Sequence, residues 1–184
     1  MARNKALLFW PVLLAVTATD AVTKALAERW LPLPQLPHEV LGNAVRFTLV
    51  YNPGAAFGIN FGPSSRWIFM GLTIIALIIL ARLYAATRSG DVPRTLALAL
   101  VCGGALGNLV DRLRSGLGVV DFIDIGLRNA RWPTFNVADS AVTIGAVLLA
   151  FVLWAEDREA AVGMAADSPP GAPPLADQVF GEPS

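Results

Sequence analysis

The sequence predicts an all-α polytopic membrane protein: four transmembrane helices, with a small β platform after the first. Three observations carry this. Of the 184 residues 55% are hydrophobic and only 15% charged, where soluble domains carry about 25% charged residues. Four runs, 6–26, 67–87, 93–111 and 137–154, are long and apolar enough for a hydrocarbon core of about 30 Å, which takes about 20 residues to cross. Between the first two runs lies a segment too polar and too rich in Pro and Gly to span, and part of it alternates with a period of two.

The same composition excludes several classes. Net charge is zero, so no broad basic face exists for nucleic acid. The single cysteine, Cys102, cannot form an internal disulfide and says nothing of redox compartment. One His and one Cys make a zinc site of the usual ligands improbable, and no metal or other cofactor is expected. A serine hydrolase with a His base would depend on His38, which sits in a Pro-rich loop.

The first span, ALLFWPVLLAVTATDAVTKAL at 6–26, follows Arg3 and Lys5. A basic start and an apolar run also describe a cleaved signal peptide, but no clean A-x-A site follows and three more spans come after it. Asp20 and Lys24 are four apart, on one helical face, where they can pair. Asp20 is then either a helix-end residue facing headgroups or a structural acid of a buried polar site. LPLPQLPH at 31–38 reads as an extended linker. VRFTLVY at 45–51 alternates as a half-buried strand does, NPG at 52–54 turns the chain, and a platform over 40–62 on which an extended peptide could lie is expected. An ordinary hairpin accounts for the same pattern.

Span two, 67–87, has Trp67 and Tyr84 near its ends, as interfacial aromatics do, and Arg82 placed to snorkel. Span three, 93–111, carries Gly103, Gly104 and Gly107, a small-residue face suited to close helix contact. Residues 113–136 read as a loop, with Trp132 and Phe135 interfacial. Span four, 137–154, starts beside Asp139 and ends at Trp154. The membrane domain is expected to cover 1–155, and the Pro-, Ala- and Gly-rich remainder, 156–184, to be a disordered tail.

Four spans alternate in direction. The end of span one, the end of span three and the start of span four therefore share a membrane face, and Asp20, Asn108, Asp111, Arg112, Asp121, Asp124, Asn136 and Asp139 gather there. Carboxylates beside a bilayer are costly and are kept for use. Two carboxyls sharing one proton can hydrolyse an amide: like charges cannot both ionise, so one draws a proton from water and the other donates to the carbonyl oxygen. Asp121 and Asp139 are the expected pair. The same acids also suit a proton relay or cation pathway, or structural ion pairs, and a Ser–Lys protease using Lys24 and Ser140 is compatible with the residue types. Lys and Arg divide six against eight between the two faces when the termini are placed inside, so the charge rule does not orient the chain.

Five motifs now bear on that choice: D-x-x-T-K at Asp20–Lys24, N-x-G-A-A-F-G at Asn52–Gly58, G-G-A-L-G-N-L-x-D-R at Gly103–Arg112, V-V-D-F-I-D at Val119–Asp124 and F-N-V-A-D-S at Phe135–Ser140. In this order, in a four-span chain, they resemble the lipoprotein signal peptidase (signal peptidase II) family over roughly 7–154. The resemblance implies an intramembrane aspartic endopeptidase that cleaves a prolipoprotein before its diacylglyceryl-modified Cys and releases the signal peptide. It implies Asp121 and Asp139 as the catalytic dyad. Asp20, Lys24, Asn52, Gly54, Asn108, Asp111, Arg112, Asn136 and Ala138 would support the site or bind substrate. It also implies an extracytoplasmic β platform, termini and tail in the cytoplasm, and an active site near the outer face of a bacterial cytoplasmic (inner) membrane. The expected partners are prolipoprotein substrates and membrane lipid, with the enzyme a monomer.

Two features depart from the family pattern. LRSGLG, between Arg112 and Val119, is one residue longer than the common form, and a register shift there would turn Asp124 rather than Asp121 toward Asp139. The Pro-rich tail is not a family signature. Asp111 and Arg112 are adjacent on a helix, so each is expected to have a different partner.

Overall fold

The computed structural model describes residues 4–31, 33–54, 61–127 and 130–166, with side chains described to 163. The platform's 55–60, including most of the N-x-G-A-A-F-G motif, and the tail's 167–184 lie outside these residues. The elements in order are α1 (Ala6–Trp30), β1 (His38–Leu41), β2 (Val45–Asn52), a single 3-10 turn (Gly62–Ser64) leading into α2 (Ser65–Ala86), α3 (Val92–Arg114), β3 (Val119–Leu127), β4 (Ala130–Arg131) and α4 (Val137–Ala166). Four helices among the described residues are long and apolar enough to cross a membrane. The chain divides into two compact units, Met1–Leu149 and Ala150–Ser184.

Within the first unit, α3 is the element the other helices pack on. Between lipid-embedded helices there is no water to expel, so association depends on how closely backbones approach. The glycines supply that approach. A Cβ on Gly103 would lie 2.9 Å from the Val16 Cβ on α1. One on Gly104 would collide with the Ala138 carbonyl oxygen of α4, and Gly145 returns the contact with Ala97 and Val101. At the end of α3 remote from the acids, Phe9, Leu13, Leu80, Leu98, Ala99 and Cys102 form a closed apolar core. There the Phe9 and Tyr84 rings stack at 4.0 Å, and the Lys5 ammonium donates to the carbonyls of Tyr84 (2.7 Å) and Thr87 (2.6 Å) at the end of α2. A cation suits a helix C-terminus.

The sheet corrects the reading of 113–136 as a loop. Its order is β1-β2-β3-β4, antiparallel throughout, so half of the platform comes from residues after α3. VVDFIDIGL is rich in β-branched residues, and its pairing with β2 satisfies a backbone that would otherwise be left unpaired beside the membrane. Phe47 pairs with Ile123 but Val50 with Asp121, so Thr48 and Leu49 oppose Phe122 alone in a bulge. Leu49, Val120 and Phe122 close over Ala27 and Leu31 at the end of α1. Gly118 sits against the Asn52–Pro53 backbone at φ +107°, a close approach and a conformation that only glycine takes without strain.

The tail also departs from expectation. α4 is helical to Ala166, through 156–166, where a disordered tail is expected from residue 156. Ala, Glu, Arg and Met in EDREAAVGMAA favour helix, and no proline intervenes. In the second unit, Arg158 lies over the Trp154 ring at 5.0 Å.

Gly104→Val should therefore cost roughly 1–3 kcal/mol through overpacking against α4. Gly71→Ala, at an α2 glycine with nothing within 4 Å of its added Cβ, should be neutral or stabilising by up to about 1 kcal/mol. Thermal unfolding in detergent checks both; equal losses of Tm would refute the packing account.

Candidate active site

The N-terminus of α4 is buried, and its first N–H groups need acceptors. Asn136 caps it. Its Oδ1 accepts the Asp139 N–H at 2.8 Å, and Asp139 Oδ2 accepts the Asn136 N–H at 3.2 Å, a reciprocal capping box. Asp20 Oδ1, from α1, accepts the Ala138 N–H at 2.9 Å. Ala138 thus contributes a backbone donor; Gly104 leaves room for its carbonyl and Gly107 for its methyl group.

Lys24 lies behind this cap, 3% exposed. Its ammonium pairs with Asp20 and Asp111, both at 2.7 Å, and donates to Asn108 Oδ1 at 3.0 Å. A buried ammonium is tolerated only with such partners. Asp20 is 1% exposed, so it is the acid of a buried polar site and not a headgroup-facing residue. Asp111 also accepts the Val120 N–H of β3 at 3.2 Å. Arg112, adjacent on α3, points elsewhere: it donates to the carbonyls of Gly54 (3.0 Å) and Asn108 (3.2 Å) and lies over the Phe69 ring. The two neighbours have different partners, as helical geometry requires.

From this base the amides reach the two remaining acids. Asn108 Nδ2 donates to Asp139 Oδ1 at 2.8 Å. Asn136 Nδ2 donates to Asp121 Oδ1 at 2.7 Å and to Asn108 Oδ1 at 3.1 Å. Asn52, at the end of β2, donates to Asp121 Oδ2 at 3.1 Å while its Oδ1 accepts the Gly54 N–H at 3.0 Å. Asp121 and Asp139 therefore hang on one asparagine network and line the same cavity of about 740 Å³. Asn52, Arg112, Trp132, Phe135 and Ile144 also line it.

Asp124 belongs to a different structure. Arg46 Nη2 (2.8 Å), Thr48 Oγ1 (3.0 Å) and Arg131 all donate to its carboxylate. Arg131 reaches on to the Asn43 carbonyl at 2.8 Å. The longer LRSGLG run has not shifted the register: Asp121 faces the cavity and Asp124, on β3, clasps β2 and β4. Sequence reasoning missed Arg46, Thr48 and Arg131, since their convergence depends on a β2–β3 pairing that no local pattern announces. Ser140 gives its hydroxyl proton to the Asn136 carbonyl at 3.0 Å while Lys24 is committed to Asp20, Asp111 and Asn108, which opposes a Ser–Lys pair. Among the described residues no group of three or more His, Cys, Asp or Glu could hold a metal.

The electrostatics of the two strand acids diverge. Burial, reinforced by the Asp139 charge, pushes the Asp121 carboxyl up to about 7, against the hydrogen bonds from Asn52 and Asn136. Burial alone would raise Asp124 too, but hydrogen bonds from Arg131, Arg46 and Thr48 outweigh it and hold that carboxyl below its ordinary value.

Four spanning helices with buried acids at one membrane face define a multi-pass membrane protein. A family model for signal peptidase (SPase) II matches residues 12–155. The chain is 39% identical over 148 residues to the lipoprotein signal peptidase of Halothermothrix orenii, covering 80% of this chain and 95% of that one. It is 42% identical over 151 residues to that of Paraburkholderia phytofirmans, covering 80% and 86%. A bacterial membrane enzyme solved by the in meso method at 2.3 Å superposes with a TM-score of 0.76 at 31% identity, covering 85% of this chain and 93% of that one. The chain belongs to the signal peptidase II family, and is a peptidase.

Because Asp121 holds its proton to about 7 when folded and to 3.8 ordinarily, the folded state binds more protons between these values. Stability should fall as pH rises through this window, by up to about 1.4 kcal/mol per pH unit. Asp121→Asn should flatten that slope in a pH series of thermal melts; an unchanged slope would show that Asp121 is not its source.

Proposed function

We propose that this chain is an intramembrane aspartic endopeptidase that removes signal peptides from diacylglyceryl-modified prolipoproteins, cutting before the lipid-modified Cys. Asp121 and Asp139 form its dyad. The observation that carries the reading is the asparagine network, which brings a strand carboxyl and a helix carboxyl to one cavity without a cation bonded to either among the described residues. A pair that holds one proton supplies both the base for water and the acid for the carbonyl oxygen.

The cavity supports the same reading. Its polar end holds Asn108, Arg112, Asp121 and Asp139, and its wall reaches Ile144 on a lipid-facing side of α4. A lipid-modified chain would enter sideways, its acyl groups remaining in the bilayer while the peptide lies extended beside β2 and β3. Asn52, Gly54 and Arg112 fix the edge of that path. Ion transport with the same acids is disfavoured, because the apolar core around Phe9, Leu80 and Leu98 closes the helices toward the other face. The membrane domain ends near residue 155. In this reading the active face lies outside a bacterial cytoplasmic membrane, with the termini inside and the enzyme acting as a monomer.

Purified protein should cut a diacylglyceryl-modified prolipoprotein, and Asp121→Asn and Asp139→Asn should each lose at least about a hundredfold in kcat while remaining folded. Asp124→Asn should lose stability yet keep measurable turnover. A wild type that never cuts, or an active Asp139→Asn, would refute the dyad.

Asn52→Ala should lower kcat/KM about tenfold or more with a smaller relative loss in Tm, since it frees one Asp121 oxygen and loosens the Gly54 turn. Parallel loss of Tm and activity in that variant would make Asn52 merely structural.

A further inference from the structure

We infer that in the resting site the shared proton sits on Asp121 and that Asp139 is the ionised partner that takes a proton from water. This rests on the peptidase reading above and divides the two roles that the dyad shares.

The assignment begins at Lys24. An ammonium can only donate, so the Asn108 oxygen must face it, and the Asn108 amide hydrogens must then face Asp139. The orientation of Asn136 is forced in the same way. Its oxygen is taken by the Asp139 N–H, so its NH2 group is directed at Asp121 and at the Asn108 oxygen. Asn52 is fixed by the Gly54 N–H. None of these amides can turn its oxygen to a carboxyl without breaking a second bond.

The two acids then differ in what holds a negative charge. Asp139 occupies the first turn of α4, where the helix dipole favours an anion. Its Oδ2 accepts a backbone N–H from Asn136, and its Oδ1 accepts from an Asn108 amide whose oxygen is polarised by the Lys24 ammonium. Asp121 lies on a strand, which has little net dipole. It is 2% exposed, and its donors are two neutral side-chain amides, from Asn52 on β2 and Asn136 beside α4. The other charged groups nearby are accounted for. Asp20 also sits at the α4 N-terminus but is paired to Lys24 at 2.7 Å, as is Asp111. Arg112 lines the cavity that both dyad acids face, with Nη1 and Nη2 committed to the Asn108 and Gly54 carbonyls. The elevated titration of Asp121 agrees with this placement.

The chemistry balances. Water oxygen bonds to the scissile carbonyl carbon as one water proton passes to the Asp139 carboxylate. The Asp121 proton passes to the carbonyl oxygen, giving a neutral gem-diol. As the C–N bond breaks, Asp139 returns its proton to the amine nitrogen and one gem-diol hydroxyl returns a proton to Asp121. The products are the acid and the amine, and the resting protonation is restored. Asn108 is a positioning residue in this scheme: it acts on Asp139, not on substrate.

The test is carboxyl 13C NMR of the full chain labelled with [4-13C]aspartate in lipid nanodiscs, with Asp121→Asn and Asp139→Asn used for assignment. At about pH 6, above the ordinary Asp range, Asp121 should give the protonated-carboxyl shift and Asp139 the carboxylate shift. The reverse pattern, two carboxylates, or one transition common to both would overturn the assignment. Asn108→Ala should move the acidic limb of the kcat/KM profile up by about one unit with KM unchanged. A loss of Tm with no movement of that limb would reduce Asn108 to a structural role. The NMR readout needs no turnover. Failure to cleave would therefore refute the peptidase reading alone, and a reversed NMR pattern in an active enzyme would refute the proton placement alone.

Discussion

The buried N-terminus of α4 is the constraint on which the rest of the membrane face depends. Its N–H groups cannot reach water, and an unpaired backbone donor in such a place costs on the order of a hydrogen bond's full desolvation. Asn136, Asp139 and Asp20 meet that need from three directions. Each acceptor brings something with it. Asp20 brings Lys24, and Lys24 brings Asp111 and Asn108. Asn108 and Asn136 then fix the two acids of the proposed dyad. A helix cap and the proposed reaction centre are here the same set of bonds.

Charge bookkeeping explains why this arrangement is tolerable at the edge of a bilayer. Asp20 and Asp111 share the Lys24 ammonium, while the Arg112 guanidinium lines the cavity that Asp121 and Asp139 face. Asp121 and Asp139 are what remains, held by amides and backbone donors without an ion pair. Two neighbouring negative charges are expensive in a poorly solvated site, and retaining one proton relieves the cost.

The sheet separates two acids that sequence spacing alone leaves interchangeable. Asp121 and Asp124 lie on opposite sides of β3, one turned to the cavity and the other into the Arg46–Thr48–Arg131 clasp. The bulge in β2 lets Thr48 reach Asp124 while Val50 stays opposite Asp121. Gly118 admits the Asn52–Pro53 turn against the start of β3, which sets Asn52 beside Asp121. The long polar run before Val119 therefore ends in a defined register.

The sequence by itself determined the four spans, the face at which the acids gather, the Asp20–Lys24 pair and the strand before Asn52. Hydropathy, helical spacing and two-residue alternation are local properties, and a bilayer turns them into topology because only satisfied backbones can cross it. The tertiary structure alone decided that 119–127 is a strand, that Asp121 and not Asp124 faces Asp139, and that three asparagines orient the pair. Those outcomes depend on which hydrogen-bonding group meets which across 15 to 118 residues of chain. No periodicity encodes such meetings; they follow from close approach at the α3 glycines and from the requirement that every buried donor find an acceptor.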